Sequence, residues 1–117
     1  VAKTGADHVF SGGSQIGEYG WFWGNSNRTI HSVGKKKATD WGVHDMSGNV
    51  WEWVWDWYGP YVADGTNPEG SSMGETRSGR GGSWFNQPYW VRGAKRGEDP
   101  PGDRNSDLGF RLVRTAP

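Results

Sequence analysis

The stretch Trp41-Gly42-Val43-His44-Asp45-Met46-Ser47-Gly48-Asn49-Val50-Trp51-Glu52-Trp53-Val54-Trp55-Asp56-Trp57-Tyr58 is the densest apolar block in a glycine-rich, polar sequence. From Trp51 to Trp57 every odd position is tryptophan, and Glu52, Val54 and Asp56 fill the even positions. Strict period-two alternation predicts a strand with an aromatic face. A helix would spread the four rings around its circumference. Just ahead, Asp45-Met46-Ser47-Gly48-Asn49 has the composition of a turn. A turn rich in carbonyls, flanked by the carboxylates of Asp45 and Glu52, is how a site for a hard cation is built.

Outward from this block, the composition bounds the fold. The chain has 117 residues, 20 glycines and 9 tryptophans, but only 32% hydrophobic residues. With so few aliphatic side chains, the expected core is aromatic, and Trp51, Trp53, Trp55 and Trp57 are expected mainly inside it. The glycines suit many turns and little regular structure. One domain spanning residues 1–117 is the natural expectation. Formal net charge is zero, which argues against nucleic acid as a partner. The one basic run, Lys35-Lys36-Lys37, reads as a solvated loop. No apolar run approaches the roughly 20 residues of a membrane span. Cysteine is absent, which excludes disulfides, thiolate metal sites and cysteine nucleophiles within this chain. The chain begins at Val1 rather than methionine, so processing or truncation upstream is expected.

Along the chain, Val9-Phe10 precedes a turn signal, Ser11-Gly12-Gly13-Ser14. Tyr19, Trp21 and Trp23 alternate and predict a short strand or extended segment, followed by a turn over Gly24–Asn27 and an extended run over Thr29–Val33. Asn27-Arg28-Thr29 matches a glycosylation acceptor pattern, which matters only in a secreted eukaryotic setting. Gly59–Gly79 predicts a long surface loop. Gly93–Ser106 is polar and irregular around Pro100-Pro101-Gly102. Leu108–Arg114 alternates well enough for a closing strand. No segment carries a helix pattern.

Three segments in order, Trp41–Trp53, Arg80-Gly81-Gly82-Ser83-Trp84 and Asp107-Leu108-Gly109-Phe110-Arg111, resemble the formylglycine-generating-enzyme/sulfatase-modifying-factor family. Ser11–Ser14 and Tyr19-Gly20-Trp21 fit its bacterial members. The resemblance implies an α+β family fold of the C-type lectin type, here mostly β and irregular. The expectation is a small twisted, mostly antiparallel sheet with long loops. It matches the C-terminal half of the family domain. The first strand and the two helices of the N-terminal half would then be on a separate chain, removed or absent.

The resemblance also implies a Ca²⁺ site. Its ligands would be the Asp45 side chain, the Gly48 and Val50 carbonyls and the Glu52 side chain; oxygen-only donors suit Ca²⁺. The competing reading is a structural turn with Glu52 paired to an arginine. The family's catalytic cysteine pair, which binds copper, would fall at Pro88 and Gly93, so neither copper nor formylglycine generation is expected. His8, His31 and His44 lack metal-ligand spacing and read as hydrogen-bonding residues. Arg80, Arg92, Arg96, Arg104, Arg111 and Arg114 alternate with Glu98, Asp99, Asp103 and Asp107, which predicts a salt-bridge network. The ligand surface is expected on Phe85, Asn86, Gln87, Tyr89, Trp90 and Arg92, with Asp103 and Asn105 from the following loop. This is the segment that carries the hypervariable surface in the lectin-like variable proteins of diversity-generating retroelements. Its aromatic and amide chemistry suits a protein or carbohydrate ligand. Three functions follow as expectations. The first is a non-catalytic Ca²⁺-stabilised binding or accessory module. The second is part of a cysteine-independent oxidoreductase, and the third is a structural subunit contacting the missing half or another subunit. An extracytoplasmic or secreted location is implied by resemblance alone.

Overall fold

A computed structural model of the chain describes residues 8–61 and 70–116. The start of the chain and the middle of the expected Gly59–Gly79 loop lie outside the described residues. Strand β1 runs over Trp51–Trp57, β2 over Arg77–Arg80, β3 over Arg96–Asp99 and β4 over Leu108–Gly109. They form one sheet in the order β3-β2-β1-β4. The alternating tryptophan stretch is therefore a strand, and it is central. β2 pairs antiparallel with β1 through Glu52↔Arg80, Trp53↔Gly79 and Trp57↔Arg77, with an irregularity between Trp53 and Trp57. β3 pairs antiparallel with β2, whereas β4 runs parallel to β1 through Trp51↔Leu108 and Glu52↔Gly109. Only two residues of the expected closing strand join the sheet.

Glycine in β2 and β3 makes room for tryptophan from β1. A Cβ on Gly97 would stand 3.2 Å from the Trp51 ring, and one on Gly79 would stand 3.6 Å from it. The indole of Trp51 lies across β2 and reaches β3 because neither strand has a side chain there. This explains why Arg77-Ser78-Gly79-Arg80 is a strand despite lacking any β-branched residue. Its place is set by pairing and by the ring above it, not by intrinsic preference.

The expected aromatic core is not what fills the interior. The tryptophans of β1 are half-exposed, and Trp55 is 86% exposed. Among the described residues, Val91 is the one fully buried hydrophobic side chain. Its burial is worth about 1.5–3 kcal/mol. The other fully enclosed side chains are Ser11, Ser26, Ser47, Ser78 and Ser83. All of these but Ser78, whose hydroxyl is buried without a partner, belong to a hydrogen-bonded lattice, each bond contributing about 1 kcal/mol net. Ser11 N–H donates to the Ser47 hydroxyl at 3.1 Å, which ties the first Gly-Gly-Ser turn to the Asp45–Asn49 turn. The Ser26 hydroxyl donates to the Trp84 carbonyl at 2.8 Å. The second Gly-Gly-Ser turn is bound in the same way, by Gly48 N–H donating to Gly81 O at 2.7 Å.

Other local expectations change. Ile16–Tyr19 is a single helical turn, α1, and Trp21–Trp23 and Thr29–Val33 are irregular rather than extended strands. Pro88–Val91 is a short 3₁₀ turn. No helix of the described residues is long and apolar enough to cross a membrane.

Candidate functional site

Two places gather chemistry. The first is the Asp45–Glu52 turn. Asp45 and Asn49 adopt positive φ, +56° and +67°, and Gly48 does so at +80°. The turn thus aims its groups inward. Asp45 is buried; its Oδ2 accepts from the Gly34 N–H at 2.7 Å, and its Oδ1 is buried without a partner in the structure. Asp45, Val50 and Glu52 line one cavity of about 340 Å³, together with His44, Asn49 and Arg111. Gly48 stands behind it, and a Cβ there would meet the Trp21 carbonyl.

Glu52 does not face this cavity as a bare carboxylate. Both its oxygens accept from the Arg111 guanidinium, which also donates to the His44 and Asp45 carbonyls at 3.1 Å each. The Glu52 bonds hold the Arg111 guanidinium above its ordinary pKa. A planar fork that bridges a carboxylate and two carbonyls binds the turn to β1 and to the segment after β4. The buried Asp45 Oδ1 is left without a partner, and Asp45, Val50 and Glu52 offer only oxygen donors, so the residues fit Ca²⁺ in donor type, although no group of three acidic or histidine side chains gathers among the described residues. A cation there would share Glu52 with Arg111.

The second place is the segment Trp84–Lys95. Phe85 is 56%, Tyr89 54% and Trp90 42% exposed. Tyr89 and Trp90 meet edge to face at 5.6 Å, and Phe85 meets both Trp84 and Trp23 in the same way. Arg92 lies over the Tyr89 ring at 4.2 Å, and its Nε donates to the Tyr89 carbonyl. Gln87 is exposed ahead of the 3₁₀ turn. Asn86 belongs to the scaffold: its Oδ1 accepts from the Ser83 N–H at 2.9 Å and the Ser83 hydroxyl at 3.0 Å. Asp107 Oδ2 lies 2.9 Å from the same hydroxyl and competes with Asn86 Oδ1 for its single proton. Asp103 and Asn105 stand on the exposed turn between β3 and β4. They are tied to that turn by Asp103 N–H donating to Pro100 O and by Leu108 N–H donating to Asn105 O.

Beneath this surface, the Arg80 guanidinium donates to the carbonyls of Gly93, Ala94 and Lys95. Gly82, at φ +70°, lets Val91 sit down on the sheet; a Cβ would stand 2.5 Å from Val91 Cγ1. The expected salt-bridge network is replaced by this pattern. Among the described residues, ion pairs form between Arg111 and Glu52 and between Lys37 and Glu18. Arg80, Arg92 and Arg96 instead satisfy backbone carbonyls, and Arg96 also lies over Tyr61 at 3.9 Å. In loops without ladders, carbonyls lack the regular N–H partners that a sheet or helix supplies, and a five-donor fork is the side chain that satisfies several at once. His31 and His44 act as hydrogen-bonding residues, as expected: His31 stacks on Trp21 and contacts Ser26 O, and His44 contacts Lys36 O.

The sequence reading missed Trp23, Arg28 and Lys95. Trp23 N–H donates to Asn86 O, which sets the 23–28 loop against the aromatic segment. Arg28 lies 4.7 Å over Trp23, and Lys95 lies 4.1 Å over Trp90. The Trp23–Asn86 bond joins segments distant in sequence, and the two cation–ring contacts, five residues apart, arise in irregular loops whose path no sequence period announces.

The family described as the sulfatase-modifying factor enzyme 1-like domain matches residues 3–116. The chain is similar to the serine/threonine-protein kinase pkn1 of Chlamydia caviae, 38% identical over 82 residues, 66% of this chain and 13% of that protein. It is similar to the formylglycine-generating enzyme of Mus musculus, 37% identical over 77 residues, 62% of this chain and 21% of that enzyme. Among solved structures it is similar to Treponema denticola variable protein 1, with a TM-score of 0.86 and 37% identity over 93% of this chain and 41% of that one. The chain thus spans less than half the length of each of these relatives. The curled, strand-poor sheet, its Gly-Gly-Ser turns and the match along nearly the whole sequence agree: the chain belongs to the FGE-sulfatase family.

Proposed function

We propose that this chain is a non-catalytic, Ca²⁺-stabilised binding or accessory module that engages its ligand through Phe85, Gln87, Tyr89, Trp90 and Arg92. The observation that carries this reading is three large aromatics, each more than two-fifths exposed, on one short segment held from below by Arg80. Aromatic and arginine side chains on a rigid support are the chemistry of binding hot spots. Pro88 and Gly93, at the positions where the family's cysteines would fall, supply neither a thiolate nor a copper ligand. The similarity to a variable protein agrees with the resemblance from which a ligand surface on this segment was expected. Ca²⁺ at Asp45 would brace the turn that carries β1, with Gly48, Val50 and Glu52 as its remaining ligands.

A second partner surface has its own support. Phe110, Leu112 and Val113 are each more than 70% exposed after β4. An apolar run left open in this way suits contact with another polypeptide, either the remainder of such a domain or a separate subunit.

The reading is tested by selecting ligands for the protein from a displayed random-peptide library and from a glycan array. Binding is then remeasured with Tyr89→Ala and Trp90→Ala. A ligand bound by the native protein and lost by both variants supports the reading. Ligands bound equally by all three proteins would remove the surface from consideration.

A further inference from the structure

The cations of the aromatic segment are distributed in an unusual way. Arg28 lies over Trp23, Arg92 over Tyr89, and Lys95 over both Tyr89 and Trp90, at 4.1–4.8 Å from the ring centroids. Among the described residues, none of these three cations forms an ion pair. The acids that follow in the chain cluster with one another rather than pairing with these cations. Asp99 feels Asp103, Asp107 and Glu98 as like-charged neighbours. Glu98 and Asp99 line one cavity with Trp90 and Lys95, but neither forms an ion pair with Arg28, Arg92 or Lys95, so these three cations keep their charge free for a partner.

The 23–28 loop adds a second observation. Asn27 and Arg28 both adopt the left-handed region, at φ +54° and +55°. Left-handed backbone is disfavoured for residues with a side chain, more for arginine than for asparagine. The turn is held by Ser26, fully buried, whose hydroxyl accepts from Arg28 N–H at 3.2 Å and donates to Trp84 O. His31 contacts the Ser26 carbonyl. A strained tip fixed by buried partners presents its side chain in one place, and such strain concentrates at sites of recognition. Here it presents Arg28 beside Trp23, at an open cavity of about 420 Å³ that Asn25 and Asn27 also line.

Resting on the binding reading above, we propose that the surface extends through Trp23 to Arg28 and that its partner is an acidic peptide segment of another protein, its carboxylates received by Arg28, Arg92 and Lys95. A polysaccharide is the disfavoured occupant. Sugar rings stack on open aromatic faces, whereas these rings meet edge to face and a face of each of Trp23, Tyr89 and Trp90 carries the protein's own cation. What remains on offer is ring edges and forked N–H donors. Those suit carboxylates set among apolar side chains.

The test begins with the displayed random-peptide library. The expected selection is enriched in aspartate and glutamate. A selected peptide, fluorescein-labelled, then loses at least about tenfold in affinity from low to high salt, as steered charge pairing requires. Arg28→Gly removes the guanidinium while suiting the positive φ, so the turn survives, and it weakens the peptide by about tenfold. Arg28→Lys keeps the charge but loses the fork and recovers only part of that loss. Peptides without acidic enrichment, or acidic peptides indifferent to Arg28→Gly and to salt, overturn the inference. So does failure of any peptide to bind when sodium polygalacturonate or a neutral glycan binds. In each of those cases, loss of the bound ligand in Tyr89→Ala and Trp90→Ala would still leave the binding surface itself standing.

Discussion

The side chain of Asn49 pairs with the backbone of His31 as a strand would: its Oδ1 accepts the His31 N–H at 3.0 Å and its Nδ2 donates to the His31 carbonyl at 3.0 Å. Asn49 is 3% exposed, its own N–H donates to Trp21 O, and its carbonyl accepts from Trp84 N–H. One residue therefore joins the Trp21 loop, the His31 loop and the second Gly-Gly-Ser turn, in a molecule with little apolar interior.

Replacing it tests whether polar lattice or aromatic surface carries the stability. Asn49→Asp keeps the shape but turns the donor into a second acceptor facing the His31 carbonyl. Asn49→Ala removes both bonds and leaves buried groups unpaired. We expect losses of about 2–4 kcal/mol in urea unfolding for each. Trp55→Ala, at an exposed position, should cost less than about 1 kcal/mol.

Gly48 and Gly34 separate steric demand from backbone preference. Both have positive φ, but a Cβ on Gly48 would lie 2.1 Å from the Trp21 carbonyl oxygen, while nothing lies within 4 Å of one on Gly34. Gly34→Ala should cost only the left-handed penalty of about 1–2 kcal/mol. Gly48→Ala adds displacement of a neighbouring backbone and should exceed about 3 kcal/mol in the same denaturant titration.

The contrast shows what could be read in advance. The strand Trp51–Trp57 was legible because period-two alternation is a local signal, and the turn before it because its composition is local too. The strands at Arg77–Arg80 and Arg96–Asp99 were not, since glycine and charge carry no strand preference and their order comes from the Trp51 ring above Gly79 and Gly97. Alternation also says which residues share a face, but not whether that face is covered; hence Trp55 was expected inside and lies outside. At the candidate sites, Glu52 and Phe85–Arg92 stood out by type. Trp23, Arg28 and Lys95 did not, because their places depend on the path of irregular loops and, for Trp23, on a bond to the distant Asn86.

Asp99 gives a pH signature. Burial, then the charges of Asp103, Asp107 and Glu98, pushes its carboxyl above the ordinary value. The folded state thus holds this proton more tightly than the unfolded chain. The stabilising contribution is present in acid and is lost as pH rises from the ordinary carboxylate value through the raised one. Asp99→Asn should therefore raise Tm at neutral pH, and the difference from the native protein should vanish on acidification below that window. A constant difference at every pH would mean that packing, not charge, is what the substitution changes.

Arg111 joins β1 to the segment after β4, and its removal should be felt at both ends. Arg111→Met strips donors from Glu52 and from the His44 and Asp45 carbonyls. The ion pair is partly exposed, with side-chain exposures of 34% and 19%, so solvent recovers part of the loss. A destabilisation of about 1–3 kcal/mol is expected. Adding Glu52→Gln to that variant should restore part of it, because the stranded carboxylate is then removed.

The same variant provides the sharpest test of Ca²⁺ at this turn. In the native protein, Arg111 already neutralises Glu52, and Asp45 Oδ1 is the buried oxygen left over. Ca²⁺ should raise Tm, and EGTA should reverse the rise, by the amount mass action gives: about 2.7 kcal/mol at a hundred times Kd. Asp45→Ala should abolish the shift. Asp45→Asn, which keeps an acceptor and loses the charge, should weaken it. Mg²⁺, smaller and reluctant to shed water, should give less. Arg111→Met frees both Glu52 oxygens, so it should bind Ca²⁺ more tightly than the native protein even though its metal-free form is less stable. A native protein whose melting ignores both Ca²⁺ and EGTA, joined by an equally indifferent Arg111→Met, would leave Arg111 as the only cation this turn was built to hold.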